Sequence, residues 1–364
     1  MDIQKTLIEG LTQSMVQARL NTIDAKPFLF GTHFPIKKVV GFSWKTLQNQ
    51  LSKMHVAADI HADNSTYVRK KRPTFEIASG DLPFIAISRD MTRSEIKEYQ
   101  TALALAKVNG GADATKLVQY WGEDVDFCFN GVQSELEYIA WSLLSNAGVL
   151  KFTTNNNATF ANEFDLDYQV DAKNKVATTS DWGVSTSADI IGDLAKIIKQ
   201  AKANGMNPKF AFVNLDTFYK IASAEQIIKA CASFAQNALN ISQTPDLQGV
   251  NTMLARQAWL NSIQFIVIDQ TITREFKDGS QTSGNPFADD VVILSETRVL
   301  GSTQYDILGE NNENVIRAVR NHTVIRKYGV AEPQGEVTMG QADALPVLDS
   351  AYRNVYVKTN AESW

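Results

Sequence analysis

A chain of 364 residues, 44% hydrophobic and 21% charged, is long enough to bury a substantial core and to form two or three domains. Its net charge of -5 at pH 7 excludes a protein whose main task is to neutralise nucleic-acid phosphates through a basic domain. Two cysteines without Cys-x-x-Cys spacing, Cys128 and Cys231, exclude a disulfide framework and suit a reducing compartment, each reading as a small core hydrophobe.

No apolar run approaches the ~18 residues of a membrane span, and the start lacks a basic segment followed by an apolar one. A soluble, unexported protein is therefore expected. In chain order, Ile3, Leu7, Leu11, Met15, Val16 and Leu20 fall on one helical face, which needs a surface to bury it. Residues 28–60 are mixed and extended around Pro35. Then comes YVRKKRPTFEIASGDLPFIAISRD, residues 67–90, in which Arg69, Lys70, Lys71 and Arg72 form a run of four cations in an otherwise acidic chain. Phe75 and Ile77 alternate with polar positions, Ser79-Gly80-Asp81 marks a turn, and Phe84 to Ile87 return, so the pattern predicts a hairpin. Pro73 removes a ladder donor and keeps this segment out of the centre of a buried sheet. An isolated hairpin is marginal in water, so this one must lie against something.

Residues 91–109 predict a helix with Thr92 as N-cap and Glu95 completing a capping box, ended by Gly110-Gly111. The longest periodic segment runs from about Ala114 to Asn146, with Val118, Trp121, Val125, Cys128, Val132, Leu136, Ile139 and Leu143 spaced by threes and fours. As a helix it would be roughly 50 Å long, a structural beam with Gly148 as its stop. Residues 150–184 switch to period two with asparagine-rich turns, which predicts antiparallel strands on the beam. A helix is expected over 188–204, with Thr186 and Asp189 at its start and Gly205 at its end. FAFVNLDTFYKIA, QFIVIDQTI and DDVVILSETRVLG read as strand, helix and strands of a compact α/β lobe over about 188–318. From His322 on, alternation returns, so the chain is expected to come back to a sheet with the lobe inserted.

Chemistry is hard to find. Phosphate-binding, dinucleotide, nucleophile-elbow, zinc-helix and EF-hand motifs do not occur. Ser94-Glu95-Ile96-Lys97 fits a Ser-x-x-Lys pattern, for which a solvated first helical turn is the simpler account. His55 and His61 lack ligand spacing, and His33 and His322 stand alone. Asp165, Asp167 and Asp171 sit on an alternating strand pattern, where a polar edge explains them. No catalytic residue, cofactor or metal is expected. The basic run lacks interleaved aromatics for stacking nucleic acid, and an inter-subunit role for Arg69, Lys70, Lys71 and Arg72 is the reading adopted.

The order assembled here resembles the major capsid protein of tailed bacteriophages, of the Hong Kong 97 type fold and its lambda-like group. The stretches that carry the resemblance are RPTFEIASGDLPFIAISRDMTRSEI, WGEDVDFCFNGVQSELEYIAWSLLSNAGVLKF, DIIGDLAKIIKQAKANGMNPKFAFVNLDTFYKI, NSIQFIVIDQTI, DDVVILSETRVLG and VAEPQGEVTMGQADALPVLDSAYRNVYVKTNAE. Each is diffuse, and their order makes the case over residues 70–364.

The resemblance implies an α+β fold: N-terminal arm 1–56, extended loop 57–90, peripheral domain 91–187 and 319–364 with its spine helix at 114–146, and axial domain 188–318. It implies a shell subunit that forms hexamers and pentamers around double-stranded DNA in the virion, assembled in the bacterial host cytoplasm. A scaffolding protein, a portal and a decoration protein are the implied partners, and no membrane is involved. If neighbours were cross-linked, Lys70 or Lys71 with Asn354 is the pairing it suggests. Two alternatives remain at this point: an encapsulin-type compartment, whose N-terminal stripe would dock cargo, and an α/β enzyme using His322 with Asp216 or Asp269.

Overall fold

The computed structural model describes residues 3–49, 75–108, 114–152, 165–232, 243–276, 278–349 and 351–364. In chain order, β1 (Ile3–Gln4), α1 (Gln13–Thr22), α2 (Phe30–His33), β2 (Ile36–Lys38) and β3 (Ser43–Asn49) come first. They are followed by β4 (Phe75–Asp81), β5 (Phe84–Met91), α3 (Arg93–Val108), α4 (Ala114–Ser145), β6 (Val149–Lys151), β7 (Asp165–Asp167) and β8 (Lys175–Ala177). Next are α5 (Ile190–Ala203), β9 (Phe210–Asn214), α6 (Leu215–Ser223), α7 (Glu225–Cys231), α8 (Leu247–Ala255), β10 (Gln264–Ile268), β11 (Ile272–Glu275) and β12 (Gln281–Gly284). The chain ends with β13 (Val291–Ser295), β14 (Gly301–Asp306), β15 (Ile316–Arg320), β16 (Thr323–Val330), β17 (Gly335–Leu348) and β18 (Val355–Lys358).

The chain divides into two compact units. The first comprises residues 1–44, 80–139 and 302–347. Its seven-stranded sheet runs β1-β16-β17-β14-β2, with β15 added on β16 and β5 on β17. The spine helix α4 lies on this sheet because two glycines let it approach. A Cβ at Gly340 of β17 would stand 2.5 Å from the Cys128 carbonyl oxygen, and one at Gly131 would meet Ile87 of β5. The Cys128 thiol donates to the Thr338 carbonyl at 3.3 Å, and burial raises its pKa to about 11, so it is the inert core hydrophobe expected. Trp121, Val125, Cys128, Val132, Leu136, Ile139 and Leu143 are buried as the periodicity predicts, whereas Val118 is exposed. At its end, Ala147 and Gly148 both take positive φ, and the Gly148 amide donates to the Leu143 carbonyl at 2.9 Å.

Three expectations need correction. The N-terminal stripe is not one helix from residue 3. Ile3–Gln4 pairs with β16, Gly10 turns the chain at φ 82, and α1 starts only after Thr12, whose side chain accepts from the Met15 amide. The apolar positions Ile8, Leu11, Val16 and Leu20 still enter one cluster with Trp121, Tyr99 and Ile325. Secondly, the predicted hairpin does not pair with itself. β4 pairs with β3, while β5 pairs antiparallel with β17 from Phe84↔Asp343 to Met91↔Glu336. The longer alternating strand offers β5 a full ladder and sets Ile87 against the spine helix, which a two-stranded ribbon could not do. Thirdly, the return of the chain is divided. β14 to β17 lie in the large sheet, but β18 pairs with β13 and β8.

The second unit comprises residues 45–79, 140–301 and 348–364. Its five-stranded sheet has the order β10-β9-β13-β18-β8, with β10 parallel and β13 antiparallel to β9. Near-continuous apolar strands such as Val291–Ser295, buried throughout, require cover on both faces. α5 supplies part of it through Ile190, Leu194, Ile197, Ile198 and Ala201, packed in one cluster with Ala211, Val213, Phe265, Val292 and Val357. The helix is capped by Asp189, which accepts from the Gly192 amide, and ends at Gly205 with φ 76.

Asp193 of α5 points inward and holds the loop before its own helix. It accepts from the Thr179 hydroxyl, the Ser180 amide at 3.3 Å and hydroxyl at 3.1 Å, and Trp182 Nε1 at 3.2 Å. Burial alone would raise its pKa, but the bonds from Thr179, Trp182 and Ser180 together hold it below the usual carboxylate value. Asp193→Ala strands those donors and is expected to cost about 2 kcal/mol or more, read as a lower midpoint in chemical denaturation.

Candidate inter-subunit surfaces

The four cations Arg69, Lys70, Lys71 and Arg72 lie outside the described residues, as do His55 and His61. What the structure does show is the frame that carries them. β3 and β4 form a two-stranded ladder on either side of residues 50–74, so the basic run belongs to the connection between two paired strands. Trp44 is buried at the base of this pair, where a Cβ on Gly80 would come within 2.9 Å of its indole nitrogen. The Leu82 amide donates to the Phe42 carbonyl at 2.8 Å, and the Thr46 hydroxyl to Asp349 at 2.7 Å. The two strands that flank residues 50–74 are thus fixed by packing and hydrogen bonds.

The N-terminal segment is held to the first unit at several points. Glu336 is fully buried and accepts from the Thr6 hydroxyl at 2.5 Å and from the Leu7 amide at 2.8 Å. Gln17 of α1 completes the edge of β15, donating to the Val319 carbonyl and accepting from its amide, both at 2.9 Å. Arg320 donates to the Leu20 and Ile23 carbonyls at the end of α1, a cation at the negative end of the helix. Arg19 forms a two-point pair with Asp126 of the spine helix. Glu137 reaches from α4 to accept the Leu29 and Phe30 amides at 3.2 and 2.9 Å.

Beneath the sheet, Lys327 is fully buried, donates to Thr338 at 2.6 Å and stands 3.9 Å from Asp124. Burial lowers the Lys327 pKa against the pull of Glu336 and Asp124, and burial raises that of Asp124 against Lys327 and Arg89. Sequence reasoning missed Glu336, Lys327 and Asp193. The available signal for Glu336 was a charge at the inward phase of GEVTMGQ, where Glu336 and Thr338 alternate with half-exposed Val337 and Met339.

The residues weighed for catalysis have structural employment. Ser94 sits in the first turn of α3, its hydroxyl sharing a hydrogen with Thr92. Thr92 and Glu95 form the expected capping box, with the Thr92 amide donating to Glu95 at 2.6 Å, and Thr92→Ala should lower stability by about 1 kcal/mol in a thermal melt. Asp165 pairs with Lys151, Asp167 accepts from the Gln169 amide, and the half-buried Asp171 pairs with Lys173. Asp216 and Asp269 are exposed in the second unit, while His322 is buried in the first. Asn354 has no exposed surface, so a neighbour's lysine has no route to it and the suggested cross-link pairing falls. Among the described residues no group of His, Cys, Asp and Glu could hold a metal, and no helix is long and apolar enough to cross a membrane.

His322 shares a hydrogen bond with Gln133 and meets the rings of Phe30 and Tyr305 edge-on. Burial and then the Arg320 charge depress its pKa to about 4. The folded state therefore keeps the ring neutral while the unfolded chain takes a proton below its ordinary value of 6.5. Stability should fall as pH drops from 6.5 towards 4, by up to about 3 kcal/mol. Comparing melts at both ends of that window, His322→Gln should lose distinctly less on acidification than the unaltered chain, and equal losses would assign the effect elsewhere.

The family model described as phage major capsid protein E matches residues 56–355. The chain belongs to that family. It is a phage major capsid protein, a structural subunit of the viral shell, and the family supports neither the compartment nor the enzyme alternative. Among solved structures, a prophage protein of E. coli CFT073 described as a capsid protein is similar over 96% of this chain and 99% of its own, at 12% identity and TM-score 0.56. A phage-related protein from Bordetella bronchiseptica RB50 is similar over 96% and 98%, at 9% identity and TM-score 0.55. At such identities the likeness speaks for the fold alone, the α+β architecture of the Hong Kong 97 type. No curated protein sequence matches the capsid chain.

Proposed function

We propose that this capsid protein assembles into hexamers and pentamers that close an icosahedral shell around double-stranded DNA. A scaffolding protein, a portal and a decoration protein are its partners, and assembly takes place in the host cytoplasm. The family match across residues 56–355 carries this reading. The physical design agrees with it: the chain spends its polar residues on fixing plates and arms, and its charged buried groups hold segments in place. In this reading the peripheral role falls to the unit that contains residues 91–139 and 302–347, and the axial role to the unit that contains 140–301 and 348–364. The extended loop that carries Arg69, Lys70, Lys71 and Arg72 lies over a neighbouring subunit, where these cations meet carboxylates and fix register. The protein does no chemistry of its own.

Electron microscopy of the purified chain co-produced with its scaffolding protein tests this. Closed shells or capsomer rings are the expected result. A monomer or dimer that persists at high concentration with scaffold present would refute it.

A further inference from the structure

We propose that Lys327 and Asp124 condense to an intramolecular amide that joins the spine helix α4 to strand β16, with Glu336 as the proton carrier. Among the described residues Lys327 is the only buried lysine, and it has no exposed surface at all. It faces Thr338 across the β16–β17 ladder, and Glu336, equally without exposed surface, lies two residues along β17 on the same inward phase. Asp124 reaches the same place from α4 and is 7% exposed. The Lys327 Nζ is held by the Thr338 hydroxyl at 2.6 Å and stands 3.9 Å from Asp124 Oδ2. That separation is too long for a hydrogen bond, so the buried ammonium lacks the direct charge-assisted contact that a buried ion pair needs. It is close to the separation of about 3 to 3.5 Å at which two groups are poised to react.

Condensation needs a neutral amine and a neutral acid. Burial is the leading influence on both groups, lowering the Lys327 pKa and raising that of Asp124, so each is moved towards the form that reacts. Glu336 is the charge that acts most strongly on Lys327. The lone pair of Lys327 Nζ adds to Asp124 Cγ, Glu336 takes a proton from the nitrogen and returns it to the departing oxygen, the C–O bond breaks and one water leaves. Nothing is oxidised or reduced, and no co-reactant is required. The product replaces two buried charges by one neutral amide, which removes the cost of keeping them out of water. It also closes a covalent loop between residues 124 and 327, which restricts the unfolded chain and ties the beam to the sheet. The bond forms once within one subunit, and no substrate is turned over.

The test is the mass of the full chain, measured by mass spectrometry after folding and renewed denaturation. The unaltered chain should weigh one water less than its sequence, and its digest should contain one branched peptide that joins the segment with Asp124 to the segment with Lys327. Asp124→Ala and Lys327→Met should each show the full sequence mass. In timed refolding, Glu336→Gln, checked as folded by circular dichroism, should lose its water at least about 100-fold more slowly than the unaltered chain, and Glu336→Asp should recover part of the rate. Full sequence mass in the unaltered chain would overturn the proposal, and that measurement needs no variant to fold. A lost water that maps to other residues, or that persists in Asp124→Ala, would overturn it as well. A Gln variant that bonds at the unaltered rate would overturn the part given to Glu336. The readout is taken on the subunit itself, so it stands whether or not shells form.

Discussion

Replacing Arg69, Lys70, Lys71 and Arg72 together by Glu is expected to leave the subunit folded and to cut the yield of closed shells by more than about tenfold, since setting like charges against each other costs several kcal/mol per contact. The prediction separates folding from assembly because the run lies between β3 and β4, whose root is anchored without it. Trp44 packs under Gly80, Thr46 bonds to Asp349, and Leu82 bonds to Phe42. None of these contacts involves a residue of the run. Thermal melting of the variant should therefore match that of the unaltered chain, while sedimentation or microscopy should show free subunits. A four-cation patch on a solvated surface would behave differently, giving normal shells after reversal and removing the inter-subunit role. Raised salt offers an independent check. Contacts of this kind are screened beyond about 8 to 10 Å at physiological ionic strength, so assembly of the unaltered chain should weaken as salt increases.

How far the sequence reached depended on whether a residue's partner was near it in the chain. The spine helix was legible from end to end because Trp121, Val125, Cys128, Val132, Leu136, Ile139 and Leu143 repeat on their own element, and burial followed that repeat. The capping box of Thr92 and Glu95 and the α5 cap at Asp189 were equally local. Strand existence was readable for the same reason, but strand partners were not. The alternation of Phe84 to Ile87 identifies a strand without saying whether it returns on β4 or crosses to β17, more than two hundred residues on. The buried charges were least legible. Lys327 and Glu336 look like ordinary surface residues until the spine helix is laid over the sheet, which brings Asp124 to Lys327 and the N-terminal segment to Glu336. The family resemblance supplied what periodicity could not, the purpose of the fold.

The spine helix also carries the largest expected loss of stability from a single change. Trp121 is 4% exposed and sits where three chain segments converge. Its cluster contains Ile8, Leu11, Val16 and Leu20 from the N-terminal segment, Ile96 and Tyr99 from α3, and Ile325 from β16. Truncating such a side chain removes its transfer energy and leaves a cavity that rigid elements on three sides cannot fill, so Trp121→Ala should cost about 3 to 5 kcal/mol. One turn earlier Val118 lies on the same helix but is 39% exposed, and Val118→Ala should shift the melt by less than about 1 kcal/mol. A loss at Trp121 no larger than that at Val118 would mean that the Trp121 ring fills no core. A large loss at Trp121 only would place the energy in the junction that ties the N-terminal segment to the beam. That variant should then also expose residues 3–22 to protease at concentrations the unaltered chain resists, because Val16 and Leu20, the buried residues of α1, lose part of the cluster they pack in.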